Sequence, residues 1–158
     1  MKSNPNEGSV MKRFIPLALV AVGLTVWLGL RGESQDRAKV PEGEKPMLKA
    51  VVHINFADGQ RQKHGLKNVT NILKEEKGAE IVVVCHGAGI GLLVKDKSEH
   101  ADEVARLIKD GVRFAACENT LRDKSIPKDH LLLGVTTVPS GAVEVIRKQQ
   151  EGYGYFKP

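Results

Sequence analysis

Cys117 is the residue of this chain that is best placed to do chemistry. It stands where the short apolar run 112–116 ends and a helix is predicted to begin at about Glu118. A thiol at such a junction faces backbone N–H groups and the positive end of a helix dipole, and both favour the thiolate. Because the thiolate is the nucleophilic form of cysteine, the pattern predicts a reactive Cys117. The alternative is a buried cysteine that packs as a small hydrophobic residue.

Cys85 is the second of the two cysteines in the chain. Two cysteines are too few for a disulfide scaffold, and neither has another cysteine close by in sequence. No spacing supports a zinc site built from Cys85, His86 and Cys117, so we expect no metal. In an oxidising compartment, a Cys85–Cys117 disulfide or a thiol redox pair is the competing interpretation.

A glycine-rich segment, Gly87-Ala-Gly-Ile-Gly91, follows the second predicted strand. It matches neither G-x-G-x-x-G nor the P-loop pattern, so it predicts a tight loop and no nucleotide or other cofactor. His86 directly precedes this loop. It is a candidate to hold a substrate oxygen or to act as a base towards Cys117, and a hydrogen-bonded residue at a strand end is the alternative. His53 is interpreted as a satisfied core histidine.

Strand-like and helix-like stretches alternate along the rest of the chain. Strands are predicted at 48–56, 80–86, 112–116 and 131–138, with a short edge strand at 153–156. Helices are predicted at 60–77, at 98–110 with Ser98 as the N-cap, from about 118, and after Ser140 through 150. This alternation favours a mainly parallel sheet with helices on both faces.

In open parallel sheets, ligands and reactive groups gather beyond the carboxyl ends of the strands. Three strand ends supply candidates here, which we expect to converge on one edge of the sheet: Asn55 with Asp58, Cys85 with His86, and Cys117 with Asn119 and Thr120.

The N-terminal part has a different character. Residues 1–13 form a basic region, residues 14–30 carry no charge, and residues 31–46 are polar with two prolines. This layout predicts a membrane anchor at 14–30, a linker at 31–46 and a domain at 47–158. A cleaved signal segment, which would release a secreted domain, is the alternative. The signal-like position favours a domain outside the cytoplasm, although the balance of positive charge on either side does not decide.

The formal net charge of +5 is spread along the chain. Aromatic residues are sparse, and no stripe of basic and aromatic side chains is present, so nucleic-acid binding is not expected.

Several blocks of the domain together resemble the DsrE/DsrF-like family, in its single-domain branch. They are Leu66-Lys-Asn-Val-Thr-Asn-Ile-Leu73, Ile81-Val-Val-Val-Cys-His-Gly87, Gly111-Val-Arg-Phe-Ala-Ala-Cys-Glu-Asn-Thr-Leu121, Val138-Pro-Ser-Gly141 and Gln150-Glu-Gly-Tyr-Gly-Tyr-Phe-Lys-Pro158.

The resemblance implies a flavodoxin-like three-layer α/β/α domain that assembles as homo-oligomers, trimers or hexamers. It also implies a sulfur relay in which Cys117 carries sulfane sulfur as a persulfide between a donor and an acceptor protein. Asn119 and Thr120 would stabilise the thiolate, with His86 and Asn55 in support. The alternative is a non-enzymatic ligand-binding or assembly module in which Cys117 is structural.

Overall fold

The computed structural model describes residues 46–158. The predicted basic region, the predicted anchor or signal segment at 14–30 and nearly all of the linker lie outside the described residues. Within 46–158, no helix combines the length and the apolar character that a membrane crossing requires.

Five parallel strands form one sheet in the order β4-β3-β2-β1-β5. The strands are β1 (Lys49–Ile54), β2 (Glu80–Cys85), β3 (Arg113–Cys117), β4 (Thr136–Val138) and β5 (Gly154–Phe156). The predicted α/β fold with a parallel sheet is confirmed. All five strands run in the same direction, so their carboxyl ends share one edge of the sheet.

Within the described residues, four α-helices pack around this sheet: α1 (Gly59–Glu75), α2 (Ala101–Lys109), α3 (Glu118–Asp123) and α4 (Gly141–Gln150). Two short 3-10 helices, Gly87–Leu93 and Lys128–His130, complete the connections. Asp58 caps α1 by accepting the backbone N–H of Arg61 at 2.6 Å, and Ser140 caps α4 by accepting that of Val143.

Each face of the sheet has its own hydrophobic core. On one face, Val83, Cys85 and Phe114 pack with apolar residues of α1, α2 and the 3-10 helix Gly87–Leu93. On the other face, Val82, Val84 and Ala115 pack against Val145 of α4. The two cores alternate along each strand, because successive side chains of a strand point to opposite faces. This explains why β2 is a continuous apolar run.

The fourth strand is shorter than the predicted 131–138. Leu131 makes an isolated antiparallel bridge with Val94, and the chain then turns, with Val135 N–H donating to the Leu132 carbonyl. Gly134 has a φ of 85°, a left-handed conformation that glycine adopts without strain. This turn leaves only Thr136–Val138 to pair with β3.

The start of α2 also differs from the prediction. The N-cap residue is His100 rather than Ser98, since the first helical bond runs from the Val104 N–H to the His100 carbonyl at 3.0 Å. The Ser98 hydroxyl oxygen instead accepts the backbone N–H of His100 at 3.4 Å, within the preceding turn.

Gly89 allows the loop after β2 to lie directly on the end of β1. A Cβ atom built at Gly89 would be 2.3 Å from the Ile54 carbonyl oxygen and 3.0 Å from Asn55 Cα. Neither neighbour can move without displacing the strand, so the contact requires glycine.

We therefore predict that Gly89→Ala lowers the free energy of unfolding by about 2–4 kcal/mol, the usual range of overpacking or somewhat more. The matched control is Gly91→Ala in the same 3-10 helix, where the nearest atom to a new Cβ is 4.0 Å away. Urea unfolding of the two variants would test this, and equal stabilities would contradict the steric argument.

Candidate functional site

Cys117 is the last residue of β3 and the N-cap of α3. It lies on the α4 face of the sheet, where a Cβ at Gly141 would be 3.2 Å from Cys117 Cβ. Its residue exposure is 4%, so the side chain is nearly enclosed.

Cys85 lies on the opposite face, within the core formed with α1 and α2. Cys85 pairs in register with Ala116, and alternation then directs the Cys117 side chain away from it. Both cysteines are free thiols. A disulfide between them would have to pass through the sheet, so the geometry argues against the redox-pair interpretation.

Polar groups of α3 and α4 set the pKa of the Cys117 thiol. Burial acts to raise this pKa, but the Thr120 hydroxyl and the backbone N–H groups of Gly141, Thr120 and Asn119 act to lower it, and their combined effect is larger. The pKa is therefore lowered from its ordinary value. The site favours a thiolate, as the sequence pattern predicts.

Thr120 is itself fixed by the loop after β2. Its hydroxyl oxygen accepts the backbone N–H of Gly87 at 3.0 Å, which leaves the hydroxyl hydrogen free to point at the Cys117 sulfur. Because Thr120 is buried, this orientation is defined by the protein rather than by solvent.

Gly141 brings a second helix to the sulfur. It is the first residue of α4, and its N–H is one of the donors to Cys117. A Cβ at this position would be 3.0 Å from His86 Cβ and 3.2 Å from Cys117 Cβ, so a side chain would fit only if these neighbours shifted by a few tenths of an ångström. The positive end of the ten-residue helix α4 thus supports the charge on the thiolate.

Glu118 follows Cys117 directly, and its carboxylate would oppose a neighbouring thiolate if it were unpaired. Instead, it accepts hydrogen bonds from the Lys128 ammonium at 2.5 Å and the Thr137 hydroxyl at 2.7 Å. The Lys128 and Thr137 bonds lower the pKa of Glu118 and compensate its charge.

A pair of histidines lies beside Cys117. His53 Nε2 and His86 Nε2 are 2.6 Å apart, and His53 Nδ1 is 2.8 Å from the Tyr155 hydroxyl oxygen. The ring planes differ by 23° with centroids 4.7 Å apart. The two nitrogens are closer together than atoms of face-to-face stacked rings can be. The rings therefore contact each other through their nitrogen-bearing edges. One proton must lie between the two nitrogens, and the other imidazole acts as acceptor.

The pKa values of both histidines are lowered. Burial is the main cause for each, followed for His53 by the charge of His86, and for both by the ammonium of Lys157. The pair therefore favours the neutral state in which a single proton joins the two rings.

These groups form a row across the carboxyl ends of four strands. β1 pairs with β5 through Val52 and Phe156, so the next pair in register is His53 with Lys157. β2 pairs with β3 through Cys85 and Ala116, so His86 comes beside Cys117. We call Cys117, His86, His53 and Lys157 the strand-end row; its members share the α4 face of the sheet.

The other predicted site residues contribute differently. The Asn119 side-chain oxygen accepts a hydrogen bond from Arg122, and its backbone N–H donates to the Pro139 carbonyl oxygen at 3.3 Å while contributing to the lowered pKa of Cys117. Asn55 directly follows β1 but makes no hydrogen bond with Cys117 or His86 among the described residues. Asp58 serves as the cap of α1.

Sequence reasoning missed the roles of His53, Tyr155, Gly141 and Lys157. His53 has hydrogen-bond partners, as predicted for a satisfied histidine, but it is half-buried rather than in the core and its partners are His86 and Tyr155. A histidine inside an otherwise apolar strand suggests a polar partner. Its partner Tyr155 cannot be identified, however, until β5 is known to pair with β1.

Across residues 46–158, no group of three or more His, Cys, Asp or Glu side chains is arranged to hold a metal ion.

We predict that Thr120→Val slows alkylation of Cys117 by iodoacetamide at pH 7 between about three- and tenfold, because loss of the hydroxyl donor raises the thiol pKa. Thr120→Ser keeps the donor and should react almost as the wild type does. The pH dependence of alkylation measures the effect, and a wild-type profile for Thr120→Val would contradict it.

The histidine pair predicts a pH dependence of stability. Because both folded-state pKa values lie below that of a free histidine, the unfolded chain binds more protons as the pH falls below about 6.5. The free energy of unfolding should therefore decrease between about pH 7 and pH 5.5. Urea unfolding at the two pH values measures this decrease.

His53→Gln combined with His86→Gln should reduce that dependence, whereas His64→Gln, at an exposed position of α1, should leave it unchanged. An identical pH dependence in the double variant would show that other groups are responsible.

Comparison with known proteins places this geometry in context. The profile of the DsrE/DsrF-like family matches residues 49–158. No curated protein matches the chain. A solved structure of a protein of unknown function, MTH1491 from Methanobacterium thermoautotrophicum, is 38% identical, with a TM-score of 0.68. The match covers 70% of this chain and 99% of that one.

The crystal structure of the ychN protein from E. coli is similar in fold, with a TM-score of 0.63 at 13% identity. That match covers 71% of this chain and 100% of that one. The family profile spans the whole sheet, from β1 through β5 and the segment that carries Lys157. With the parallel five-stranded fold and the Cys117 site described above, this match shows that the chain belongs to the DsrE/DsrF-like family.

Proposed function

We propose that this protein is a sulfur-relay carrier that holds sulfane sulfur as a persulfide on Cys117. The observation that carries the proposal is the position of Cys117 at the N-cap of α3 and against the first residue of α4, where the Thr120 hydroxyl and nearby backbone N–H groups lower the pKa of its thiol. They outweigh the cost of burial and favour the thiolate, which is the form that attacks sulfane sulfur.

The transfer would proceed in two displacements. The Cys117 thiolate attacks the terminal sulfur of a donor, a new S–S bond forms, and the donor's S–S bond breaks with its electron pair on the leaving group. An acceptor thiolate then attacks the outer sulfur of the Cys117 persulfide and releases Cys117 as a thiolate. Because the persulfide is also anionic, the donors that hold the thiolate can stabilise the loaded state.

The assembly and location of the protein are part of the same proposal. We expect a homo-oligomer, a trimer or a hexamer, and the exposed apolar side chains of Val143 and Ile146 on α4 are consistent with self-association. We also expect the uncharged segment 14–30 to anchor the chain in a membrane, with the domain on the extracytoplasmic side.

A second candidate is a non-enzymatic ligand-binding or assembly module. The observation in its favour is the 4% exposure of Cys117, since buried cysteines commonly pack as small hydrophobic residues. In that case the sulfur would remain unmodified until the domain unfolds.

Intact-mass analysis of the full-length chain after incubation with polysulfide tests the carrier proposal. We predict a gain of one sulfur, about 32 Da, that a reductant removes, as expected of a persulfide. The gain should persist in Cys85→Ser and be absent from Cys117→Ser.

The same series separates the two candidates. Absence of an adduct on the native chain, with labelling of Cys117 only in denaturant, would overturn the carrier function and favour the binding module. An adduct that persists in Cys117→Ser would place the chemistry at another residue.

A further inference from the structure

Access to the Cys117 sulfur is narrow. The residue ends an interior strand of the sheet, is 4% exposed, and meets the first residue of α4 across a contact too close for a side chain. A sulfur atom carried on the surface of another folded protein meets more steric hindrance at such a thiolate than a donor made of a few bare sulfur atoms does.

The charge of the reactants sets a second requirement. The attacking Cys117 thiolate is an anion, and small inorganic carriers of sulfane sulfur are anions too. Their repulsion slows encounter unless a cation lies close by. In the strand-end row, Lys157 is the member with a fixed positive charge, because the lowered pKa values of His53 and His86 keep those rings neutral near pH 7.

The Lys157 ammonium is available for a ligand. No described carboxylate forms an ion pair with it, and its electrostatic effect is exerted on the two imidazoles of the row. The nearest acid in sequence to Cys117, Glu118, is compensated by Lys128 and Thr137.

Lys157 is also held in place from both sides. Phe156 pairs with Val52 in the sheet, and the Pro158 carbonyl oxygen accepts hydrogen bonds from Arg61 Nε at 2.8 Å and Nη2 at 2.7 Å. Gly65 provides the space for Pro158, since a Cβ there would be 2.9 Å from Pro158 Cγ. The backbone of Lys157 is therefore positioned before any ligand binds, which lowers the entropic cost of binding.

The dimensions of the row suit a short chain of atoms. Cys117 and Lys157 are separated by three strand spacings, about 14 Å between backbones, and the lysine side chain shortens that span. Polar imidazole edges of His86 and His53 line the interval.

From these observations we propose that the donor is a small inorganic anion that carries sulfane sulfur, such as hydropolysulfide or thiosulfate. In this proposal, Lys157 binds the negative charge of that anion. The inference rests on the proposed function and specifies its substrate class.

The step balances without an added oxidant or reductant. The Cys117 thiolate attacks a terminal sulfur of the hydropolysulfide HSₙ⁻, and the adjacent S–S bond breaks. The products are the Cys117 persulfide anion and HSₙ₋₁⁻, which keeps the electron pair of the broken bond and the proton. Thiosulfate would react in the same way, with sulfite as the leaving group.

The test compares loading rates of the full-length chain and its variant Lys157→Met. Polysulfide, thiosulfate and the larger organic donor glutathione persulfide are supplied separately, and the persulfide is followed by quenched intact-mass analysis. Lys109→Met is the matched control, since Lys109 is an exposed lysine of α2 without a described partner. Alkylation by neutral iodoacetamide reports whether Cys117 itself has changed.

We predict that Lys157→Met slows loading by inorganic donors about tenfold, the effect of removing one close charge. Lys109→Met should stay within about twofold, as expected for a screened surface charge. Iodoacetamide alkylation should be unchanged in both variants. Wild-type loading by polysulfide or thiosulfate should exceed loading by glutathione persulfide and should fall as ionic strength rises. The faster of the two inorganic donors, polysulfide or thiosulfate, is then the preferred source of sulfane sulfur.

Two results would overturn the inference. One rejects only the proposed donor class, and the other also rejects the carrier function. If Cys117 is loaded equally fast by glutathione persulfide and Lys157→Met has no effect, the donor class is wrong and sulfur carriage stands. If no donor loads Cys117 in the wild type, the carrier function itself fails.

Discussion

The site depends on the close approach of the α4 N-terminus to the ends of β2 and β3. Gly141 makes this approach feasible, because any side chain there would meet His86 and Cys117 within van der Waals contact. Once the helix is seated, its first N–H reaches the sulfur and its body covers the second face of the sheet through Val145. The surroundings of the Cys117 thiol and the packing of the second core therefore depend on one contact, so a change at Gly141 affects both.

The two cysteines show how strongly local donors govern a buried thiol. Cys85 is wholly buried among apolar side chains, and desolvation alone raises its pKa. Cys117 is almost as inaccessible, yet the polar groups of Thr120, Gly141 and Asn119 beside it reverse the direction of the pKa shift. Burial by itself does not make a cysteine inert; the absence of donors does.

Much of this arrangement was predictable from the amino-acid sequence, because alternating apolar runs and helical periodicity are local properties. The parallel sheet, the strand that ends at Cys117 and the capping of α4 by Ser140 followed from such patterns. The fourth strand was predicted too long because the left-handed turn at Gly134 interrupts an otherwise apolar stretch.

The strand-end row was not predictable in the same way. His53 and Lys157 are far apart in sequence, and they meet only because β5 pairs with β1 at the edge of the sheet. The N–H of Gly141 likewise reaches Cys117 through tertiary packing. Helix and strand periodicity carries no information about which strand lies beside which.

Because the two thiols lie on opposite faces of the sheet, their labelling rates report on the opening of two different parts of the domain. Cys117 sits at the rim, where only small shifts admit a reagent, whereas Cys85 becomes accessible only when α1 and α2 separate from the sheet. Under native conditions the labelling rate of Cys85 therefore reports the free energy of opening that core, in the manner of amide hydrogen exchange. A ligand that stabilises the folded domain would slow the labelling of Cys85 even without contacting that residue.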